Sequence, residues 1–116
     1  GLRFLLAMKY ANLCHVLSEQ NITVVIATIS MFSEVYKWNR ENLPNYFEIY
    51  LKVPIAELRN RDPKGIYHSY DSGNLRHILG LDIDFDEPKS PDLLFDYSKK
   101  KLTTDEMTVQ ILDKVL

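Results

Sequence analysis

Two hydrophobic periods alternate along the chain. Leu6, Tyr10, Leu13 and Leu17 recur at helical spacing, which predicts an amphipathic helix from about Leu5 to Glu19. Asn21 suits its end, because Asn tolerates the left-handed conformation that closes a helix. The next run, Ile22-Thr23-Val24-Val25-Ile26-Ala27-Thr28, is apolar and β-branched without alternation. That pattern predicts a strand covered on both faces, hence a parallel sheet. Ser33 is placed to cap a helix running to about Asn42, with Glu34 favourable in its first turn and Pro44 just beyond. Phe47 to Val53 reads as a second strand. Pro54 opens a short helix at its first position, where a missing N–H costs nothing. Leu93-Leu94-Phe95-Asp96 is a short last strand. Thr103 with Glu106 forms a capping-box pattern, and Met107, Ile111 and Val115 give the last helix its apolar stripe. This alternation of helices and strands predicts an α/β, doubly wound layout.

From Arg61 to Pro91 the periodicity weakens. Gly65, Gly73 and Gly80 lie here, with Pro63, Pro88 and Pro91. A stretch of that length inside a domain is characteristically a functional lid or disordered. Lys99-Lys100-Lys101 reads as a solvated turn. At 116 residues the chain is one domain at most, with a modest core. Its net charge of −2 argues against a general nucleic-acid binder, so no nucleic-acid partner is expected. The longest apolar run is of strand length, short of the ~20 residues of a membrane span, so no membrane partner is expected either. One cysteine, Cys14, excludes an internal disulfide and fits a reducing, cytoplasmic setting. Its apolar neighbours predict an inert packed thiol. No signal peptide is visible, and a start on Gly1 rather than Met is what a partial chain would show.

Chemistry is concentrated in two blocks. Arg61-Asp62-Pro63-Lys64-Gly65-Ile66-Tyr67 puts two cations, a rigid proline and a permissive glycine after a short helix, as suits a lid closing over phosphates. Ile29-Ser30-Met31-Phe32 follows the first predicted strand, where α/β enzymes hold ligands. Blander readings stand beside these. Arg61 and Lys64 also read as exposed loop charges, and Ser30 as a helix-opening residue with no ligand. His15, His68 and His77 lack metal-binding spacing, so no metal site is expected. Asp82, Asp84, Asp86 and Glu87 imitate the start of a calcium loop. Glu87 stands where glycine is needed and Leu93 where a bidentate Glu is needed, so the run reads as a solvated lid edge. Tyr36, Trp38 and Tyr46 read as core or rim packing.

The ordered set of blocks resembles the adenylylsulfate kinases, members of the P-loop nucleotide kinases. The family pattern runs I-S-P-F, F-x-E-V-x-V-x-x-P, R-D-P-K-G-L-Y and G-I-D-x-x-Y-E-x-P-x-x-P-E-L. This chain has Ile29 to Phe32, Phe47 to Pro54, Arg61 to Tyr67, Gly80 to Pro88, and Pro91-Asp92-Leu93, a match over about Arg3 to Asp96. Its segment Ala27 to Phe32, A-T-I-S-M-F, is most similar to adenylylsulfate-kinase-like proteins of bacterial surface-polysaccharide genes. The resemblance implies a three-layer doubly wound parallel sheet, incomplete at the N-terminus. It implies that residues 1–116 are a single partial kinase domain with a lid at about 61–91. It also implies transfer of the ATP γ-phosphoryl to the 3′-hydroxyl of adenylylsulfate with Mg²⁺, a reaction that needs positive charge and exclusion of water. Lys64 would be the catalytic lid lysine. Arg3, Ile29, Ser30, Phe32, Lys64 and Gly65 would meet the substrate. Arg61, Asp62 and Pro63 would form the ATP-side lid and its hinge. Family members are often homodimers, though no interface is legible here.

The departures bear on the acceptor. Met31 replaces the proline, Ile78 stands where a phenylalanine stacks on adenine, Asp71 where a lid arginine is expected, and Lys9 where a second gripping arginine would fall. The chain also has no G-x-x-x-x-G-K followed by Ser or Thr, the cradle for phosphates and Mg²⁺, and no D-G-D segment. Three readings follow: a fragment of an adenylylsulfate kinase, inactive alone; a relative acting on another nucleotide-activated or sugar-linked acceptor; or a non-catalytic remnant serving as an interaction module.

Overall fold

The computed structural model describes residues 1–116 except Ser30, Leu79, Gly80, Asp82, Ile83 and Asp84. The described residues form α1 (Leu2–Glu19), α2 (Ser33–Asn42), β1 (Ile49–Lys52), α3 (Ile55–Arg61), α4 (Ile66–Asp71), β2 (Leu93–Asp96) and α5 (Thr104–Val115). They fall into two units. The first comprises Gly1–Tyr46 and Asp86–Ser90, the second Phe47–Phe85 and Pro91–Leu116.

In the first unit, α1 starts three residues before the sequence pattern predicts and ends as predicted. Asn21 adopts a left-handed φ of 61°. The Asn21 N–H donates to the Ser18 carbonyl and the Ile22 N–H to the Leu17 carbonyl, which is a Schellman closure of the last turn. The buried face differs from the expected one. Ala7, Ala11 and Cys14 are buried, whereas Leu6, Tyr10 and Leu13 are each about half exposed. An α1 that is apolar nearly all round cannot cover every face with α2 alone, and the small residues win the closest packing. His15 and Trp38 meet edge to face at 5.9 Å across the α1–α2 pair. Burial pushes the Cys14 thiol up, outweighing the backbone hydrogen bond that lowers it, so the group stays protonated and inert.

Residues 22–28, expected to be a strand, form none. A buried-type parallel strand exists only through its neighbours, and no described strand pairs with it. Val25 is 94% exposed, and Ile22, Ile26 and Ile29 are exposed as well. Ser33 is also not the cap expected. It is the first helical residue of α2, after Phe32 in extended conformation.

In the second unit, β1 and β2 are parallel, in register Ile49↔Leu93 through Lys52↔Asp96. β2 matches the predicted strand residue for residue, while β1 keeps only the middle of Phe47 to Val53. Phe95 is buried on this two-stranded sheet. Asp92 fixes the start of the pairing by accepting the Glu48 N–H at 2.7 Å. Asp96 accepts from the Ser98 hydroxyl, an interaction that together with Ser98's N–H and nearby lysines lowers its carboxyl below the usual range. Pro54 sits one position outside its predicted place, as the N-cap of α3. The stretch 61–91 carries a helix, α4, that weak periodicity did not predict.

α5 starts as the sequence predicts. The Glu106 N–H donates to Thr103 Oγ1 at 3.1 Å, and the Thr103 N–H donates to Glu106 Oε1 at 3.0 Å. Thr103's backbone N–H and then its hydroxyl hold the Glu106 carboxyl below its ordinary pKa. A carboxyl depressed on folding stabilises above its unfolded pKa and loses that contribution as pH falls through the folded value. Thr103→Ala should therefore cost about 1 kcal/mol in denaturant titration at pH 7. Glu106→Gln keeps the acceptor but removes the charge. It should be less stable than the parent at pH 7 and indistinguishable from it in acid; an equal deficit at both pH values would contradict this linkage.

Candidate functional site

Three of the expected substrate residues, Arg3, Ile29 and Phe32, line one groove in the first unit. Its volume is about 230 Å³, and its other walls are Leu6, Ala7, Tyr10 and Thr28. Helix α1 supplies Arg3, Leu6, Ala7 and Tyr10 because these positions share one face at i, i+3, i+4 and i+7. The Phe32 ring packs edge to face on Phe4 with centroids 5.4 Å apart. The Arg3 guanidinium lies 5.9 Å from the Phe32 centroid. One end of the groove is therefore aromatic and cationic, and the rest is apolar. An aromatic wall beside a cation suits a planar base carrying an anionic group. Leu6, Tyr10 and Thr28 were not among the expected site residues. Leu6 and Tyr10 fit a core stripe in the sequence, and only the exposure of that stripe shows that it faces a groove. Ser30 lies outside the described residues, as do Asp82 and Asp84 of the acidic run.

The expected lid residues lie in the second unit. Arg61 is the last residue of α3 rather than a loop residue. Its Nε donates to Glu57 Oε1 at 2.9 Å, and its guanidinium stacks over the Tyr97 ring at 4.9 Å. The Glu57 and then the Tyr97 hydrogen bonds raise its already high pKa. Asp62 caps α4: its carboxylate accepts the Tyr67 and His68 N–H groups at 3.1 and 3.0 Å, satisfying donors at the start of α4. The Gly65 N–H donates back to the Asp62 carbonyl, and Gly65 takes a left-handed φ of 65° as the N-cap. Pro63 and Lys64 form the exposed tip of this turn. Asp71 is ion-paired with Arg59, which also lies 5.7 Å over the Tyr67 ring. Lys101 lies 5.4 Å over Tyr97, and the rest of the lysine run is an exposed turn.

The described residues do not form a site for ATP·Mg²⁺. The donors at the start of α4 are taken by Asp62, and Arg61 is engaged by Glu57. Among the described residues no three His, Cys, Asp or Glu side chains converge as metal ligands.

Helices alternating with a pair of parallel strands place the chain in the α/β class, and comparison with known proteins narrows that class to small-molecule kinases. The family described as adenylylsulphate kinase matches residues 5–96, and the chain belongs to that family. It is 40% identical over 85 residues to a cytidine diphosphoramidate kinase of Campylobacter jejuni, a match covering 73% of this chain and 50% of that protein. It is 31% identical over 90 residues to an adenylyl-sulfate kinase of Pseudomonas aeruginosa, covering 76% and 46%. It is 30% identical over 102 residues to an adenylyl-sulfate kinase of Deinococcus deserti, covering 88% and 52%. The chain thus spans about half the length of the curated relatives it matches. No described helix is long and apolar enough to cross a membrane.

Gly65→Ala forces a side chain into the left-handed region, although nothing lies within 4 Å of the added methyl. It should destabilise the α3–α4 turn by about 1–2 kcal/mol. The change should appear as faster hydrogen exchange at the Tyr67 and His68 amides, and unaltered exchange there would show that the turn does not depend on Gly65.

Proposed function

We propose that this chain is the acceptor-binding and lid portion of an ATP-dependent kinase that phosphorylates a hydroxyl of a nucleotide-linked acceptor. The observation that carries the reading is the groove, which combines the Phe32 ring, the Arg3 cation and the apolar Leu6, Tyr10 and Ile29 in a member of the adenylylsulphate kinase family. In it Arg3 would hold the anionic group of the acceptor, and Phe32 and Tyr10 would flank its base. Ile29, with Ser30, would set the depth of the groove. Lys64, next to Gly65 at the turn, would bring positive charge to the moving phosphoryl, with Arg61, Asp62 and Pro63 shaping the lid. Among the described residues none is placed to hold the ATP phosphates or Mg²⁺.

Adenylylsulfate is the acceptor the family resemblance implies. The observation favouring a cytidine diphosphate-linked acceptor is the 40% identity to a cytidine diphosphoramidate kinase. One sequence feature agrees with it: Ile78 removes the ring expected to stack on adenine. The same reading takes residues 1–116 as one partial kinase domain in a cytoplasmic protein, with residues 61–91 as its lid. Completed, the domain would be a three-layer doubly wound parallel sheet. The parallel register of β1 and β2 supports that sheet, and so does the uncovered apolar run at 22–29.

Calorimetric titration of the chain with CDP, adenylylsulfate and ATP·Mg²⁺ tests this. CDP should bind, more tightly than adenylylsulfate, and ATP·Mg²⁺ should not. Arg3→Ala should weaken CDP binding by about 10-fold or more, the worth of a charge-assisted contact. A preference for adenylylsulfate would return the acceptor to the one implied by the resemblance. No binding of either would remove the groove as the site. The chain alone should transfer no phosphoryl group, and measurable turnover would sink the reading that it is only the acceptor and lid portion.

A further inference from the structure

The N-cap of α2 is Phe32, whose side chain offers no acceptor and is committed to the groove and to Phe4. One residue cannot both wall an apolar groove with its ring and satisfy the donors at a helix start. The capping oxygen comes from 53 residues away. The Ser33 N–H donates to Asp86 Oδ2 at 2.9 Å. The Asp86 N–H donates to the Met31 carbonyl at 3.0 Å, and the Tyr36 hydroxyl donates to the Asp86 carbonyl at 2.8 Å. Asp86 therefore brackets Phe32, binding the residue before it, the residue after it and the next turn of α2. Further along the same segment, the Arg40 guanidinium donates to the Ser90 carbonyl.

We infer that Asp86 is a positioning residue for the groove: its carboxylate supplies the cap that Phe32 cannot, and so holds the Phe32 ring where a ligand would meet it. The inference concerns the conformation of residues 31–36. Its consequence for nucleotide binding rests on the function proposed above. Asp86 is not among the residues lining the groove, and it acts through the backbone on either side of Phe32.

The test compares Asp86→Ala with Asp86→Asn by amide hydrogen exchange, by Phe4–Phe32 ring contacts in NMR, and by CDP titration. Removing a cap of this kind corresponds to roughly fivefold faster exchange. Asp86→Ala should show that acceleration at Ser33 and its neighbours, loss of the Phe4–Phe32 contact and weaker CDP binding. Asp86→Asn keeps an acceptor oxygen at equal capping strength and should restore all three. Asp86→Ala with unchanged Ser33 exchange and an intact Phe4–Phe32 contact would overturn the inference. Accelerated exchange along the whole of α1 and α2 would overturn it too, because the role would then be general stability. Failure of the unsubstituted chain to bind CDP or adenylylsulfate would overturn the acceptor reading, while the exchange and ring-contact readouts would still decide the role of Asp86.

Discussion

The unpaired backbone N–H at the start of a helix or ladder is the constraint that organises this molecule. Four times a carboxylate meets it. Asp86 serves α2, Asp62 serves α4, Asp92 serves the residue before β1, and Glu106 completes the box of α5. Each bond is charge-assisted, because its acceptor is a carboxylate. The described apolar core consists of Ala7, Ala11, Cys14, Val35 and Phe95, so packing alone fixes few of these geometries. The carboxylates set where elements begin, and the elements then place Phe32 and the Lys64 turn.

What was legible in the sequence is what is decided locally. The Schellman closure at Asn21 and the Thr103–Glu106 box each depend on residues within a few positions of one another, and the strand Leu93–Asp96 was legible from its short apolar run although its ladder partner lies 44 positions away. What was illegible depends on distant partners. The run 22–28 has the composition of a central strand, yet composition supplies no ladder neighbour. The α1 stripe was visible, but which face would be buried depended on the small residues Ala7, Ala11 and Cys14 beside it. Asp86 looked like one more solvated acid because its partners are 50 or more positions away. The groove was half legible: Arg3, Ile29 and Phe32 were expected, but Leu6 and Tyr10 were counted as core.

The departures from the family pattern also take on structural meaning. Asp71, standing where an arginine was expected, is the partner that ties α4 to Arg59 of α3. The exchange of sign moves that position from ligand contact to internal bracing of the turn that presents Lys64. Gly65 and Asp62 brace the same turn from its other side. A turn held at both ends presents its exposed tip in a narrow range of orientations, which is what the role proposed for Lys64 requires.

The uncovered run from Ile22 to Ile29 also governs how the chain behaves in company. It is eight residues of β-branched and apolar side chains with no charge, proline or glycine to interrupt them, and Val25 is almost wholly exposed. Such a segment is a template for intermolecular strand pairing. The net charge of −2 gives little electrostatic repulsion to keep copies apart. The nearest gatekeeping charge after it is Glu34, at the start of α2. This octapeptide is therefore a local determinant of colloidal solubility beside the overall composition, and a charged substitution at Val25 is a point at which solubility can be raised.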